Sequence, residues 1–274
     1  MGMVEVLENF KGKKVFITGH TGFKGSWLCY LLDKYGAITN GYALNPKTKP
    51  SLYLNLKFSN QHSSNFSDIL EIKNLKREIE SFEPEYIFHL AAQPLVLESF
   101  EDPKTSFETN FNGTLNLLEI LKDLRLACTT IFITTDKVYE NNDLNIAFKE
   151  VDKLGGKDPY SASKAACELL INSYRDSFFK ESDTHIASAR AGNVVGGGDW
   201  SENRLIPDFI RAIYENKPLE IRNPNSIRPW QHVLEPLHGY LSLANAVSNK
   251  PSTFQGAWNF GPEKEDVKTV KEII

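Results

Sequence analysis

The sequence predicts an α/β fold, a doubly wound parallel sheet carrying a smaller, irregular C-terminal lobe, on three observations. Short β-rich runs alternate with longer amphipathic ones over the first two-thirds of the chain. A glycine-rich turn joins the first strand to the first long helix. After Arg190 the rhythm breaks: Gly196, Gly197 and Gly198, then Pro207, Pro218, Pro224, Pro229 and Pro236, leave only short segments. Strands separated by helices of this length make right-handed βαβ units, whose parallel sheet is covered on both faces. With 274 residues, 41% of them hydrophobic, the chain can bury one sizeable core. We expect a Rossmann-type domain over residues 1–190 and a second lobe over 191–274, partly interleaved with the first.

Taken in order, Lys14 to Thr18 reads as the first strand, and a helix follows from about Lys24 to Tyr35. Ile38 to Leu44 is the second strand and Ser64 to Phe66 a short third. A helix from about Glu71 to Phe82 leads to a strand at Tyr86 to Leu90. A long helix, about Thr105 to Leu124, leads to Thr129 to Thr135, and another, about Pro159 to Phe179, to His185 to Arg190. Ala257 to Phe260 returns as a strand. Val267 to Ile274 begins an apolar-faced helix that has no C-cap, so the lobe reads as incomplete.

Composition excludes several function classes. A net charge of -4 argues against nucleic acid as the main partner, because phosphate binders of that kind need a basic face. No apolar stretch suits a signal peptide or a membrane span. Gly2 invites a myristoylation reading, but Val6 stands where Ser or Thr is expected. Cys29, Cys128 and Cys167 are widely spaced within apolar patterns, which fits buried free thiols in a reducing, cytoplasmic compartment. No Cys/His cluster has metal-ligand spacing, and no metal is expected.

The first strand runs into Thr18, Gly19, His20, Thr21, Gly22, Phe23, Lys24 and Gly25. Glycines every third residue between a strand and a helix suit a dinucleotide: a tight turn, close backbone approach to a pyrophosphate, and a helix N-terminus aimed at its charge. An ordinary turn is the bland alternative, and the strand–turn–helix setting argues against it. At the end of the second strand no carboxylate waits for a ribose. Asn45 can bond a ribose hydroxyl, while Lys47 and Lys49 suit a 2′-phosphate, so these residues leave NAD and NADP both open. Asp68 and Ile69 are candidates for the adenine edge. Leu90, Ala91, Ala92 and Gln93 form a turn of mostly small residues where the backbone can pass close to a cofactor.

Tyr160 and Lys164 lie four apart, on one face of a helix that Asp158 can cap and Pro159 can open. A nearby ammonium favours the phenolate and brings the tyrosine toward neutral proton exchange. Tyr30/Lys34 and Tyr53/Lys57 share the spacing and read as surface or packing pairs. What singles out Tyr160 is the strand-end group Thr134, Thr135, Asp136 and Lys137, since residues just past a strand's carboxyl end face the ligand crevice. A hydroxyl, a carboxylate and an amine in succession can orient a sugar, donate a proton and accept one.

These residues resemble the extended short-chain dehydrogenase/reductase superfamily, and longer motifs look like its CDP-glucose 4,6-dehydratase branch. They are GHTGFKGSW from Gly19, AAQPLV from Ala91, TTDKVY from Thr134, DPYSASKA from Asp158, ARAGNVVGGGDW from Ala189, RLIPD from Arg204 and RNPNSIRPWQHVLEPLHGY from Arg222. The resemblance implies NAD as cofactor, CDP-glucose as substrate and a homodimer or higher homo-oligomer built on the two long helices. Carried over, Tyr160 takes the C4 hydroxyl proton with Lys164 and Thr135 assisting. Asp136 is the acid and Lys137 the candidate base, which requires a neutral amine. Asn193, Arg204, Leu205, Arg222, Arg228 and His232 are candidates for the substrate, arginines suiting bidentate phosphate contacts. Leu97 stands where the family usually carries Arg, and family members usually continue beyond Ile274. A nucleotide-sugar 4-epimerase, a dehydratase for another nucleotide-glucose and a non-catalytic NAD sensor are the competing readings; Asp136 and Lys137 argue against the epimerase.

Overall fold

The computed structural model describes residues 2–141 and 147–274. Its strands are β1 (Lys14–Thr18), β2 (Ile38–Ala43), β3 (His62–Phe66), β4 (Tyr86–His89), β5 (Thr129–Ile133), β6 (His185–Ala191), β7 (Val194–Val195), β8 (Ile227–Arg228), β9 (Gln231–His232), β10 (Gly256–Phe260) and β11 (Lys268–Thr269). Seven of them form one sheet in the order β10-β6-β5-β4-β1-β2-β3. Every pairing in that sheet is parallel. The order reverses between β1 and β4, and ligands of open α/β sheets bind outside the carboxyl ends of the strands at such a switch point. β1, β4 and β5 are buried along nearly their whole length, which explains why they read as continuous apolar runs.

The helices divide between the two faces. They are α1 (Met3–Glu8), α2 (Phe23–Lys34), α3 (Leu52–Asn55), α4 (Ile72–Phe82), α5 (Val96–Glu101), α6 (Pro103–Phe107), α7 (Gly113–Leu124), α8 (Pro159–Tyr174), α9 (Leu205–Tyr214), α10 (Leu234–Asn249), α11 (Pro251–Phe254) and α12 (Val270–Ile273). Val6, Leu28, Leu32, Leu237, Leu241 and Val247 pack α1, α2 and α10 against one face. Leu75, Ile79, Leu117, Leu121, Cys167 and Ile171 pack α4, α7 and α8 against the other. Cys29, Cys128 and Cys167 are all buried and free.

The two long helices each contain a turn wound wider than an α-helix, over Glu108–Asn112 and Arg175–Phe179. The expectation of short, proline-broken segments after Arg190 fails at α10, a helix of sixteen residues that places Leu237, Tyr240, Leu241, Leu243, Ala244 and Val247 in the core. Pro207 and Pro236 both fall in the first turn of a helix, where the missing N–H has no intrahelical acceptor to lose. They open α9 and α10 rather than break them. β10 joins the main sheet beside β6, as the Ala257 to Phe260 strand suggested.

Candidate active site

β1 delivers Thr18 to the switch point, and Gly19 turns the chain with φ at +73°. A side chain at Gly19 would meet the backbone of Ala91 at 2.6 Å, so the turns after β1 and β4 touch backbone to backbone. The Gly22 amide donates to the Gly19 carbonyl at 3.1 Å, and a Cβ on Gly25 would lie 2.1 Å from that oxygen. Gly22 then caps α2 with no side-chain acceptor, leaving the first-turn amides facing outward. That uncapped N-terminus at the head of a twelve-residue helix is the donor set a dinucleotide diphosphate requires.

The other expected cofactor residues take varied positions. The Thr21 hydroxyl donates to Leu44 O at 2.9 Å, and Asn45 beside it is exposed. The Asp68 carboxylate accepts from the Leu70 amide, and Ile69 is buried. The Ala91 amide donates to the Thr18 hydroxyl at 3.1 Å, while the Gln93 amide donates to Asn110 Oδ1 at 2.8 Å. The His20 ring packs in a cluster with Tyr53, His62 and Phe66, where neither nitrogen has a partner. Burial, helped by His62, pushes its pKa down to about 3, so the ring stays neutral, and its packing leaves only the His20 backbone in the glycine turn.

The Asp158 carboxylate caps α8 by accepting from Ser161 N at 2.9 Å, with Pro159 in the first turn. Tyr160 and Lys164 follow on one face, both buried, and the Lys164 ammonium donates to Ile133 O at 3.3 Å. Beyond β5 the chain makes a single tight turn over Asp136–Val138, capped by the Thr135 hydroxyl, which accepts from Lys137 N. The same hydroxyl donates to Asp136 Oδ1 at 3.1 Å. Lys137 Nζ reaches Asp136 Oδ1 at 3.1 Å and Asn193 Oδ1 at 3.3 Å. Asp136 and Lys137 are thus a partly exposed ion pair.

A cavity of about 610 Å³ lies above these groups, with Lys24, Leu97, Thr135, Lys137 and Tyr160 in its wall. Asn193, Arg204, Leu205 and Arg222 also line it, and Arg204 is anchored to Asp199 at 2.8 Å. Arg228 and His232 stand apart from this wall. Arg228 lies on the exposed strand β8 and donates to its neighbour Ile227 O, and His232 is exposed on β9. Part of Lys24 faces the cavity, while its Nζ ends 3.2 Å from the hydroxyl of the fully buried Tyr240. Among the described residues it has no carboxylate partner. Burial, then the charges of Arg204 and Lys164, hold its pKa down at about 7.

Two groups escaped the sequence reading. Asn110 sits in the wide turn before α7, where such turns recur at functional sites. Its side chain donates to Ser163 Oγ at 2.8 Å and to Gln93 O, and its carbonyl accepts from Thr114 and Cys167. The available signal was a polar residue on the face that Thr114, Leu117 and Leu121 bury. Glu168, four residues beyond Lys164, is fully buried against Arg190. Its signal was the continuation of the Tyr160, Lys164 spacing.

The glycine turn after β1, the turn after β5 and the Tyr160–Lys164 face of α8 come together at the carboxyl edge of the sheet where its strand order reverses. They define a Rossmann-type enzyme that joins a dinucleotide site to a tyrosine–lysine pair. The sequence pattern described as the NAD dependent epimerase/dehydratase family matches residues 15–261. Over 273 residues the chain is 46% identical to the CDP-glucose 4,6-dehydratase of Salmonella typhimurium, covering 97% of this chain and 76% of that protein. An epimerase of Methanothermobacter thermautotrophicus superposes with a TM-score of 0.85 at 25% identity, over 99% of this chain and 77% of that one. The dTDP-glucose 4,6-dehydratase of Bacillus anthracis, solved with NAD, superposes at 0.77 and 22% identity over 95% of this chain and 78% of that one, a likeness of fold. The chain belongs to the NAD-dependent epimerase/dehydratase family.

Proposed function

We propose that the chain converts CDP-glucose to CDP-4-keto-6-deoxyglucose and water, as an NAD-dependent hydro-lyase. The observation that carries this reading is the Asp136–Lys137 ion pair, whose lysine lines the same cavity as Tyr160, because elimination of water needs an acid and a base that a 4-epimerase does not. NAD, when bound, would supply a hydride acceptor for C4 and a hydride donor for C6. The backbone of Gly19 to Gly25 would hold its diphosphate, with Asn45, Asp68, Ile69 and the Leu90 to Gln93 turn along the rest of its length.

Tyr160 takes the C4 hydroxyl proton, with the buried Lys164 one helical turn further on the same face of α8. Thr135, fixed by its bonds to Asp136 and Lys137, orients the sugar hydroxyls. The ion pair then explains how a lysine becomes a base. Moving one proton from Lys137 to Asp136 creates the neutral amine that removes the C5 proton and the acid that expels the C6 hydroxyl. Asn193, Arg204, Leu205 and Arg222 are the substrate wall, contributed by residues 191–274 and interleaved with the 1–190 domain.

The test offers CDP-, UDP- and dTDP-glucose and follows the 4-keto-6-deoxy product by its absorbance in alkali. We expect CDP-glucose to win by about 10-fold or more in kcat/KM, the equivalent of ~1.4 kcal/mol. A preference for either other nucleotide overturns the substrate, and conversion without a keto product overturns the dehydratase.

Phe100, Phe107, Leu169 and Phe178 are exposed on α5, α6, α8 and the turn after α8. We place a second copy of the chain over them, pairing the long helices of 105–124 and 159–179 in a homodimer. Light scattering at micromolar concentration should return twice the chain mass; a monomer mass refutes it. Among the described residues no helix is long and apolar enough to cross a membrane. The proposed cofactor and substrate place the enzyme in the cytoplasm.

A further inference from the structure

We propose that Glu168 and Arg190 are positioning residues, a buried pair that grips the catalytic turn at both ends and sets it against the helix carrying Tyr160 and Lys164. The proposal rests on the active-site reading above. Tyr160, Lys164 and Glu168 follow one another at four-residue spacing on α8, so one face of the helix presents all three. Lys164 holds the carbonyl of Ile133, the last residue of β5. One residue further on, Glu168 Oε1 accepts from the Thr134 hydroxyl at 2.5 Å, while Thr134 N is bonded to Ala189 O. The second carboxylate oxygen accepts from Ser188 Oγ at 2.8 Å and from Arg190 Nη2 at 2.7 Å.

The guanidinium carries the grip to the far end of the turn. Arg190 Nη1 donates to the Tyr139 hydroxyl at 2.8 Å and to Glu150 O at 3.1 Å. The Tyr139 hydroxyl in turn donates to Asn259 Oδ1 on β10 at 2.6 Å. Thr134 stands immediately before Thr135, Asp136 and Lys137, and Tyr139 two residues after them. The three reacting side chains therefore sit on a short arch whose two feet are tied to one ion pair. Glu168 is 0% exposed and Arg190 2%, so neither touches solvent. A buried ion pair is poor evidence for stability, since apolar residues of similar volume often serve as well or better. Its chemistry here is that of a rigid fork, with donors and acceptors at fixed angles reaching three separate backbone segments.

Kinetics of the full chain decide the matter, using whichever nucleotide-glucose the unsubstituted protein turns over, so that a wrong substrate assignment does not affect the outcome. The double variant Glu168→Leu/Arg190→Met removes both charges together and leaves none uncompensated. We expect it to fold, by circular dichroism and a cooperative melt, with kcat lower by roughly 10- to 100-fold, the cost of a misplaced catalytic group. KM and the calorimetric affinity for NAD should stay within about threefold, since the cofactor cradle is untouched. Should that variant not fold, Glu168→Asp keeps the charge and withdraws the carboxylate by one methylene. Positioning predicts a similar loss of kcat, and charge balance alone predicts none. Wild-type kcat in the folded double variant, or in Glu168→Asp, overturns the proposal. So does a loss spread equally over kcat, KM and NAD affinity.

Discussion

Replacing Asp136 with Asn slows product formation by roughly 10²- to 10⁴-fold, the loss expected when a general acid is removed. Oxidation at C4 does not require that acid, so the absorbance of the reduced nicotinamide should build up on the variant. Lys137→Met should lose a similar factor and also build up reduced cofactor, but the two differ at C5. Without the amine, no hydrogen from deuterated solvent enters C5. Asp136→Asn retains some of that exchange, because the C5 proton leaves before the hydroxyl does. Equal exchange in both variants would mean that Lys137 is not the base, leaving it to hold Asp136 and Asn193 in place.

Lys24→Met should make the cofactor-free protein more stable at neutral pH. The amine is held at about 7, against an ordinary 10.5. Between those values the unfolded chain carries a proton that the folded one has shed, so stability rises with pH across that window. Below about pH 7 both forms are protonated and the cost is at its largest, on the order of 5 kcal/mol from the two values. Water in the cavity and the Tyr240 hydroxyl left without its donor reduce the net gain to about 2–3 kcal/mol. Urea unfolding at neutral pH and near pH 9.5 reads both the gain and the flattened slope, staying below the range where the buried Tyr240, whose pKa burial raises, reverses the trend. Equal stability at neutral pH, or parallel pH slopes, would show that Lys24 is not strained by its surroundings.

Much of this was legible because it follows from local rules. β1, β4 and β5 announce themselves as apolar runs since both faces of a parallel strand are covered. The start of α8 is written in Asp158 and Pro159, and the cavity gathers Thr135, Lys137 and Tyr160 as the strand-end argument required. What stayed hidden depends on distance or direction. α10 was obscured because a proline in a first turn looks like a breaker until the helix start is known. Arg228 and His232 were grouped with Arg204 because an aperiodic, proline-rich stretch does not say which way a side chain points. Glu168 and Arg190 look like surface charges in sequence, and only the fold brings residues 22 apart into one buried pair.

The return of the chain to the sheet at β10 governs how the cavity can open. β6 ends at Ala191 and β10 begins at Gly256, and the two strands lie side by side in the same sheet. The substrate wall between them is therefore a span fixed at both abutments. A lobe joined by one linker swings as a rigid body about a hinge. A span tethered at both ends turns less freely, because any rotation must be absorbed at both attachments, and α10 holds it to the core between them. The cavity wall that is left outside the main sheet and α10 is the stretch from Gly196 to Arg204 and the turns near Arg222, whereas Tyr160 and the Asp136–Lys137 arch stand on α8 and the end of β5.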